Sequence, residues 1–161
     1  GTDRPWPAMP EVLRAAWLRR FAGKIGISAV QEGDEALITD LLTRMAGNQA
    51  DFTNTFRALA TGGARDQFVN PGDFDEWELG WRQRIAGEDA PEARMLAANP
   101  AFIPRNHRIE AVIQSACRGD FEPFETLQGI LSTPFDEKPN KLDYQHPPLP
   151  EEVVHETFCG T

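Results

Sequence analysis

Residues 34–47 read Asp34-Glu35-Ala36-Leu37-Ile38-Thr39-Asp40-Leu41-Leu42-Thr43-Arg44-Met45-Ala46-Gly47. Leu37, Ile38, Leu41, Leu42 and Met45 recur at helical spacing and make one broad apolar stripe. The spacing predicts a helix over 33–47, with Asp34 as N-cap and Gly47 as C-cap. The same period governs the flanking sequence. Leu13, Trp17 and Phe21 mark a helix from Glu11 that ends near Gly23 or Gly26. Asp51 caps a third helix carrying Phe52, Phe56 and Leu59, stopped by Gly62-Gly63. Asn70-Pro71-Gly72-Asp73 announces a fourth, with Asp73 and Glu76 as a capping box and Phe74, Trp77, Trp81 and Ile85 on one face. Pro91 starts a short helix over 91–98. Ile109, Val112, Ile113 and Ala116 mark a sixth, ended by Gly119. Asp120 caps a seventh with Phe121, Phe124, Leu127, Ile130 and Leu131. No period-two alternation of β-branched residues occurs, so the expected class is all-α: an irregular bundle of six to eight short helices.

The ends read differently. Residues 1–10 carry three prolines and form an extended N-terminal arm. From Pro134 the chain is too proline-rich for regular helix. Phe135, Leu142, Tyr144, Leu149, Val153, Val154 and Phe158 recur along it, so the expectation is an extended tail that wraps and buries a side chain every few residues. Pro150, Glu151 and Glu152 then start a last short helix. The expected organisation is an arm (1–10), a helical domain (11–133) and a tail (134–161).

The 161 residues suit one domain with an ordered tail. A formal charge of −9, from 16 basic and 25 acidic residues, argues against nucleic acid and against an anionic membrane surface as partners. No apolar stretch approaches a membrane span and no secretory signal is present. The first residue is Gly1, not Met, which predicts processing or a longer parent. Two cysteines make no disulfide framework, and the expected compartment is the reducing cytoplasm.

Motifs for nucleotide, metal or nucleophile chemistry are missing from the sequence. Trp77 and Trp81 read as a packing stripe in preference to a base-stacking platform. Arg14, Arg19 and Arg20 read as the solvated face of the first helix. Asp73, Asp75, Glu76, Asp136 and Glu137 sit where caps and turns want carboxylates. His107 and His146 stand alone. His155 and Cys159 share a two-ligand spacing, too few for a structural zinc site. Cys117 reads as a small packed residue. Cys159, third from the end, has Glu156 nearby and no activating cation, so it reads as a disulfide partner and not as an activated nucleophile.

The stretch Asn99-Pro100-Ala101-Phe102-Ile103-Pro104-Arg105-Asn106-His107, followed by Cys117-Arg118-Gly119-Asp120-Phe121, closely resembles the selenoprotein O family. Asp51-Phe52-Thr53-Asn54-Thr55-Phe56-Arg57-Ala58-Leu59, Pro134 to Pro139 and the final Cys159-Gly160-Thr161 match it in the same order. The resemblance spans about residues 11–161. It implies the C-terminal region of a protein adenylyltransferase with a kinase-like fold, which uses ATP and Mg²⁺ or Mn²⁺ to move AMP onto Ser, Thr or Tyr of proteins. The nucleotide and metal residues of that family lie upstream, so no catalytic, cofactor or metal residue is expected in this chain. Only Cys159 carries over, as a redox candidate. The implied partners are the kinase-like part and the protein substrates of the parent. A free-standing acidic helical interaction module is the alternative reading.

Overall fold

The computed structural model describes residues 10–153. These hold seven α-helices and no strand: α1 (Glu11–Lys24), α2 (Asp34–Gly47), α3 (Phe52–Thr61), α4 (Pro71–Ile85), α5 (Pro91–Ala98), α6 (Asn106–Cys117) and α7 (Glu122–Ser132). Short 3-10 turns occupy Ala64–Gln67, Pro139–Gln145 and Pro150–Glu152. The chain divides into two units, Gly1–Asn99 and Pro100–Thr161. The N-terminal arm lies outside the described residues up to residue 9.

In the first unit α4 supplies the spine. Phe74, Trp77, Trp81 and Ile85 are all buried, as their spacing predicts. The two indoles stack with centroids 5.3 Å apart and planes within 15°. Each indole N–H finds a backbone carbonyl: Trp77 donates to Leu37 at 2.9 Å and Trp81 to Ile25 at 2.8 Å. A buried indole needs such a partner, and these two bonds fix α4 against α2 and against the turn after α1. Ile38, Leu41 and Met45 of α2, and Phe56 and Leu59 of α3, complete the core.

Local chemistry departs from the sequence expectations at several helix ends. Gly33, at φ +92°, is the N-cap of α2, and Asp34 is its first residue. The Asp34 carboxylate is 1% exposed. It accepts from Gln31 N (2.7 Å) and from Arg84 Nε (2.7 Å) and Nη2 (3.0 Å). A long-range ion pair has taken the side chain that a cap would use. At the other end Gly47 stays helical and Asn48 is the C-cap. Asn48 Nδ2 donates to Arg44 O and Asp73 Oδ2, and its Oδ1 accepts from Asn70 N. This engages Asp73, so the expected Asp73–Glu76 capping box does not form, and α4 starts at Pro71 instead. The Asp51 cap holds: its Oδ1 accepts from Asn54 N at 2.9 Å. On α1, Leu13 is exposed, while Trp17 and Phe21 pack against the core.

The turn after α1 needs a glycine. Gly26 sits at φ +88°, and a Cβ there would lie 3.0 Å from Pro91 Cβ. Glu88 and two arginines hold the same turn. Glu88 Oε2 accepts from Ser28 N, Arg84 reaches Glu88 Oε1 and Ala29 O, and Arg94 donates to Gly26 O. The bond from Ser28, with Arg84 beside it, draws the Glu88 carboxyl below its usual value against the effect of burial.

The second unit is thinly packed. Ala101, Phe102, Val112, Leu127 and Ile130 are buried, with Leu131 and Tyr144 against them. Pro134 O accepts from Ala101 N (2.8 Å) and Phe102 N (3.1 Å), which ties the end of α7 to the strand-like entry of the unit. On α6 the buried face is His107, Val112 and Ser115, while Ile113 is half exposed, so the helix is turned from the expected face. At α7, Phe121 takes the N-cap position and Asp120 caps from one residue earlier, accepting from Glu122 N at 3.2 Å. The tail departs most. It forms a 3-10 turn over Pro139–Gln145, and Phe135, Leu142, Leu149 and Val153 are exposed; among the described residues only Tyr144 of the expected anchors is half buried. The Pro150 turn is present as a 3-10 helix, and residues after Val153 lie outside the described ones.

Truncating Trp81 removes a stacked, hydrogen-bonded indole from the core. Trp81→Ala should cost about 3–5 kcal/mol, whereas Leu79→Ala on the exposed face of the same helix should stay within about 0.5 kcal/mol. Urea unfolding of the two variants checks this.

Candidate functional site

The stretch that carries the resemblance folds into two different environments. Its first residue, Asn99, is a polar hub of the first unit and is 1% exposed. Its Nδ2 donates to Lys24 O (2.8 Å) and Phe56 O (3.3 Å), and its Oδ1 accepts from Lys24 Nζ (3.1 Å). Arg57, from the second matching segment, donates through Nη1 to Asn99 O (2.8 Å) and Leu96 O (3.1 Å). Lys24 Nζ also reaches Ala98 O at 3.3 Å. The last carbonyls of α5 would otherwise be left without donors, and two cations from α1 and α3 satisfy them. Burial, with Arg20 adding to it, pushes the Lys24 ammonium below its usual value. It rests over the rings of Phe52 and Phe56 at 5.7 and 5.6 Å. Asn99 and Arg57 are therefore joints between helices.

The rest of the stretch lines a pocket of about 310 Å³ in the second unit. Ile103, Pro104, Arg105 and His107 form one wall, and Pro148, Glu152 and Val153 the other. Arg105 is the N-cap of α6 in extended conformation, with no side-chain cap bond, and is 8% exposed. His107 is equally buried, and neither ring nitrogen has a hydrogen-bond partner. Burial, with Arg108 next, lowers its pKa; Glu152 opposes this and Arg105 reinforces it. Glu152 Oε2 accepts from Leu149 N at 2.9 Å, so the carboxylate turns toward its own backbone. Arg108 donates to Asp143 O and lies 5.2 Å above the Tyr144 ring. Among the described residues, no carboxylate orients the His107 imidazole and no nucleophile lines the pocket beside it.

The remaining sequence candidates do not converge. Cys117 is a free thiol at the end of α6 and is exposed, not packed. His146 is exposed. Arg14 pairs with Glu35 across α1 and α2. Asp75 binds Arg65 at 2.8 Å and Glu76 binds Arg44 at 3.0 Å, so these carboxylates are engaged in surface ion pairs. Cys159 and His155 lie outside the described residues. Among the described residues no three His, Cys, Asp or Glu side chains gather as a metal ion needs. No described helix is long and apolar enough to cross a membrane.

Lys24 and Arg84 escaped sequence reasoning, and Asp34 was read only as a cap, because their partners are far along the chain.

No protein-family profile matches the chain. Among the proteins it is similar to are several named protein nucleotidyltransferase YdiU. The one from Ruegeria pomeroyi is 56% identical over 154 residues, covering 96% of this chain and 33% of the relative. One from another Ruegeria is 54% identical over the same length and share of each. That from Nitrobacter hamburgensis is 51% identical over 158 residues, covering 91% of this chain and 31% of the relative. The chain thus spans about a third of the length of the curated relatives it matches.

His107 gives the pocket a pH signature. A histidine whose folded pKa is depressed resists protonation, so its contribution is intact above the unfolded value near 6.5 and is lost as pH falls through that value toward the folded one. Between about pH 7.5 and pH 5.5 the urea midpoint of the wild type should fall further than that of His107→Leu. Parallel falls would remove the depressed pKa.

Proposed function

We propose that this chain, which spans about a third of the length of the nucleotidyltransferases it matches, is the helical C-terminal region of a protein adenylyltransferase. The complete protein would transfer AMP from ATP, with Mg²⁺ or Mn²⁺, to Ser, Thr or Tyr hydroxyls of other proteins. The observation that carries this reading is the identity of 56% across nearly the whole chain, set against a coverage of one third of the relative.

In this reading the region has no chemistry of its own. Its buried polar groups join helices: Asn99 and Arg57 close α5, and Asp34 with Arg84 fixes the turn after α1. It supports the kinase-like part and carries Cys159 at the end of the tail. Cys159 would act as a redox residue, forming a disulfide with a cysteine of the upstream part. Two thiols lose two protons and two electrons in that step, and a peroxide or a small disulfide takes the electrons.

The complete protein, incubated with ATP labelled at the α-phosphate, should transfer label to protein hydroxyls. The 161-residue chain should neither transfer label nor bind ATP by calorimetry. Stoichiometric ATP binding by the chain alone would overturn the placement of the nucleotide site upstream. For the tail, non-reducing mass spectrometry of the oxidised complete protein should find Cys159 in a disulfide. Free thiol at every oxidant level would remove that role.

A further inference from the structure

We infer that α7 carries a second apolar face that seats an apolar surface from the preceding two thirds of the longer polypeptide. The inference rests on reading the chain as the C-terminal part of that polypeptide. At 100° per residue, Phe121, Phe124, Gln128 and Leu131 fall within one sector of about 80°. Leu127 and Ile130 occupy the adjoining sector, which is the buried one. Together the two sectors cover about half the circumference of α7, more than one contact of an ordinary surface helix needs. Among the described residues, the second unit covers the Leu127–Ile130 side and part of Leu131. Phe121 is left 58% exposed and Phe124 50%.

The exposed sector is shaped as well as apolar. Phe124, Leu127, Gln128 and Leu131 line a groove of about 380 Å³, wide enough for an aromatic or a ridge of aliphatic side chains. The sector itself carries no formal charge; Glu122 and Glu125 lie on the polar arc beyond it, Glu125 at the edge beside Phe121. A partner buried against the sector is therefore apolar, and loses nothing by burial there.

Length decides between apolar occupants. The relatives are about three times as long as this chain, so two thirds of each polypeptide is outside it. That portion is covalently tethered, and docking within one polypeptide proceeds at a high effective concentration. A second copy of the chain would have to associate without that tether.

Hydroxyl-radical footprinting with mass spectrometry tests the assignment on the complete protein and on the 161-residue chain. Labelling of Phe121 and Phe124 should fall several-fold in the complete protein relative to the chain. Phe124→Ser should restore labelling at Phe121 in the complete protein and lower its Tm, while barely moving the Tm of the chain. Glu125→Ser, on the polar arc, should do neither. Equal labelling in the two proteins would overturn the inference. So would protection that appears in the chain alone, rises with its concentration and accompanies a dimer in sedimentation, since a second copy would then be the occupant. AMP transfer is read in the same preparations. Its absence with Phe124 protected would remove the functional reading and leave the docking face. Its presence with Phe124 fully labelled would remove the docking face alone.

Discussion

The first unit depends on the stacked pair Trp77 and Trp81, because their indoles must be dry and hydrogen-bonded at once. An indole placed in a core loses its water and has to find a carbonyl for its single N–H. Leu37 O and Ile25 O meet that need, and in doing so they set where α2 and the turn after α1 can lie. Ile25, Ile27 and Ala22 then pack against the same aromatic spine. Gly26 adopts its left-handed conformation within that turn, against Pro91. Arg84, Glu88 and Arg94 satisfy the turn's backbone groups, so a segment with no helical structure is held as firmly as the helices around it.

The second unit obeys a different balance. Its buried apolar side chains are few, and many large ones remain at the surface. Backbone bonds to Pro134, the cation of Lys138 over Phe102, and Arg108 over Tyr144 do much of the joining. Such contacts order a chain without removing much apolar area from water, and burial is the larger stabilising effect.

The two segments that carry the family resemblance also differ in what they do. Asn99 and Arg57 are identifiable in the sequence as parts of a motif, yet their work is to close the end of α5 with Lys24. Arg105 and His107, a few residues on, line a pocket whose imidazole is buried without a partner. A motif matched in sequence thus mixes joints with pocket walls. The separation is made by burial and hydrogen bonding, which no spacing encodes.

Helix number and approximate place were legible in the sequence because a 3.6-residue apolar period, prolines at first turns and glycines beyond last turns are local properties. The aromatic face of α4 and the Asp51 cap were legible for the same reason. The family resemblance was legible because it rests on an ordered set of short motifs. Tertiary structure alone decided the fate of side chains with two competing partners. Asp34 left the cap for Arg84, since a buried charge needs a paired donor more than an exposed helix end needs a cap, and the half-buried Asp73 is taken by the amides of Asn48 and Asn70. The tail shows the same limit from the apolar side. Its spacing suggested burial, but whether Phe135 or Leu149 is covered depends on what surface lies opposite, and that is set by the whole fold and not by the segment.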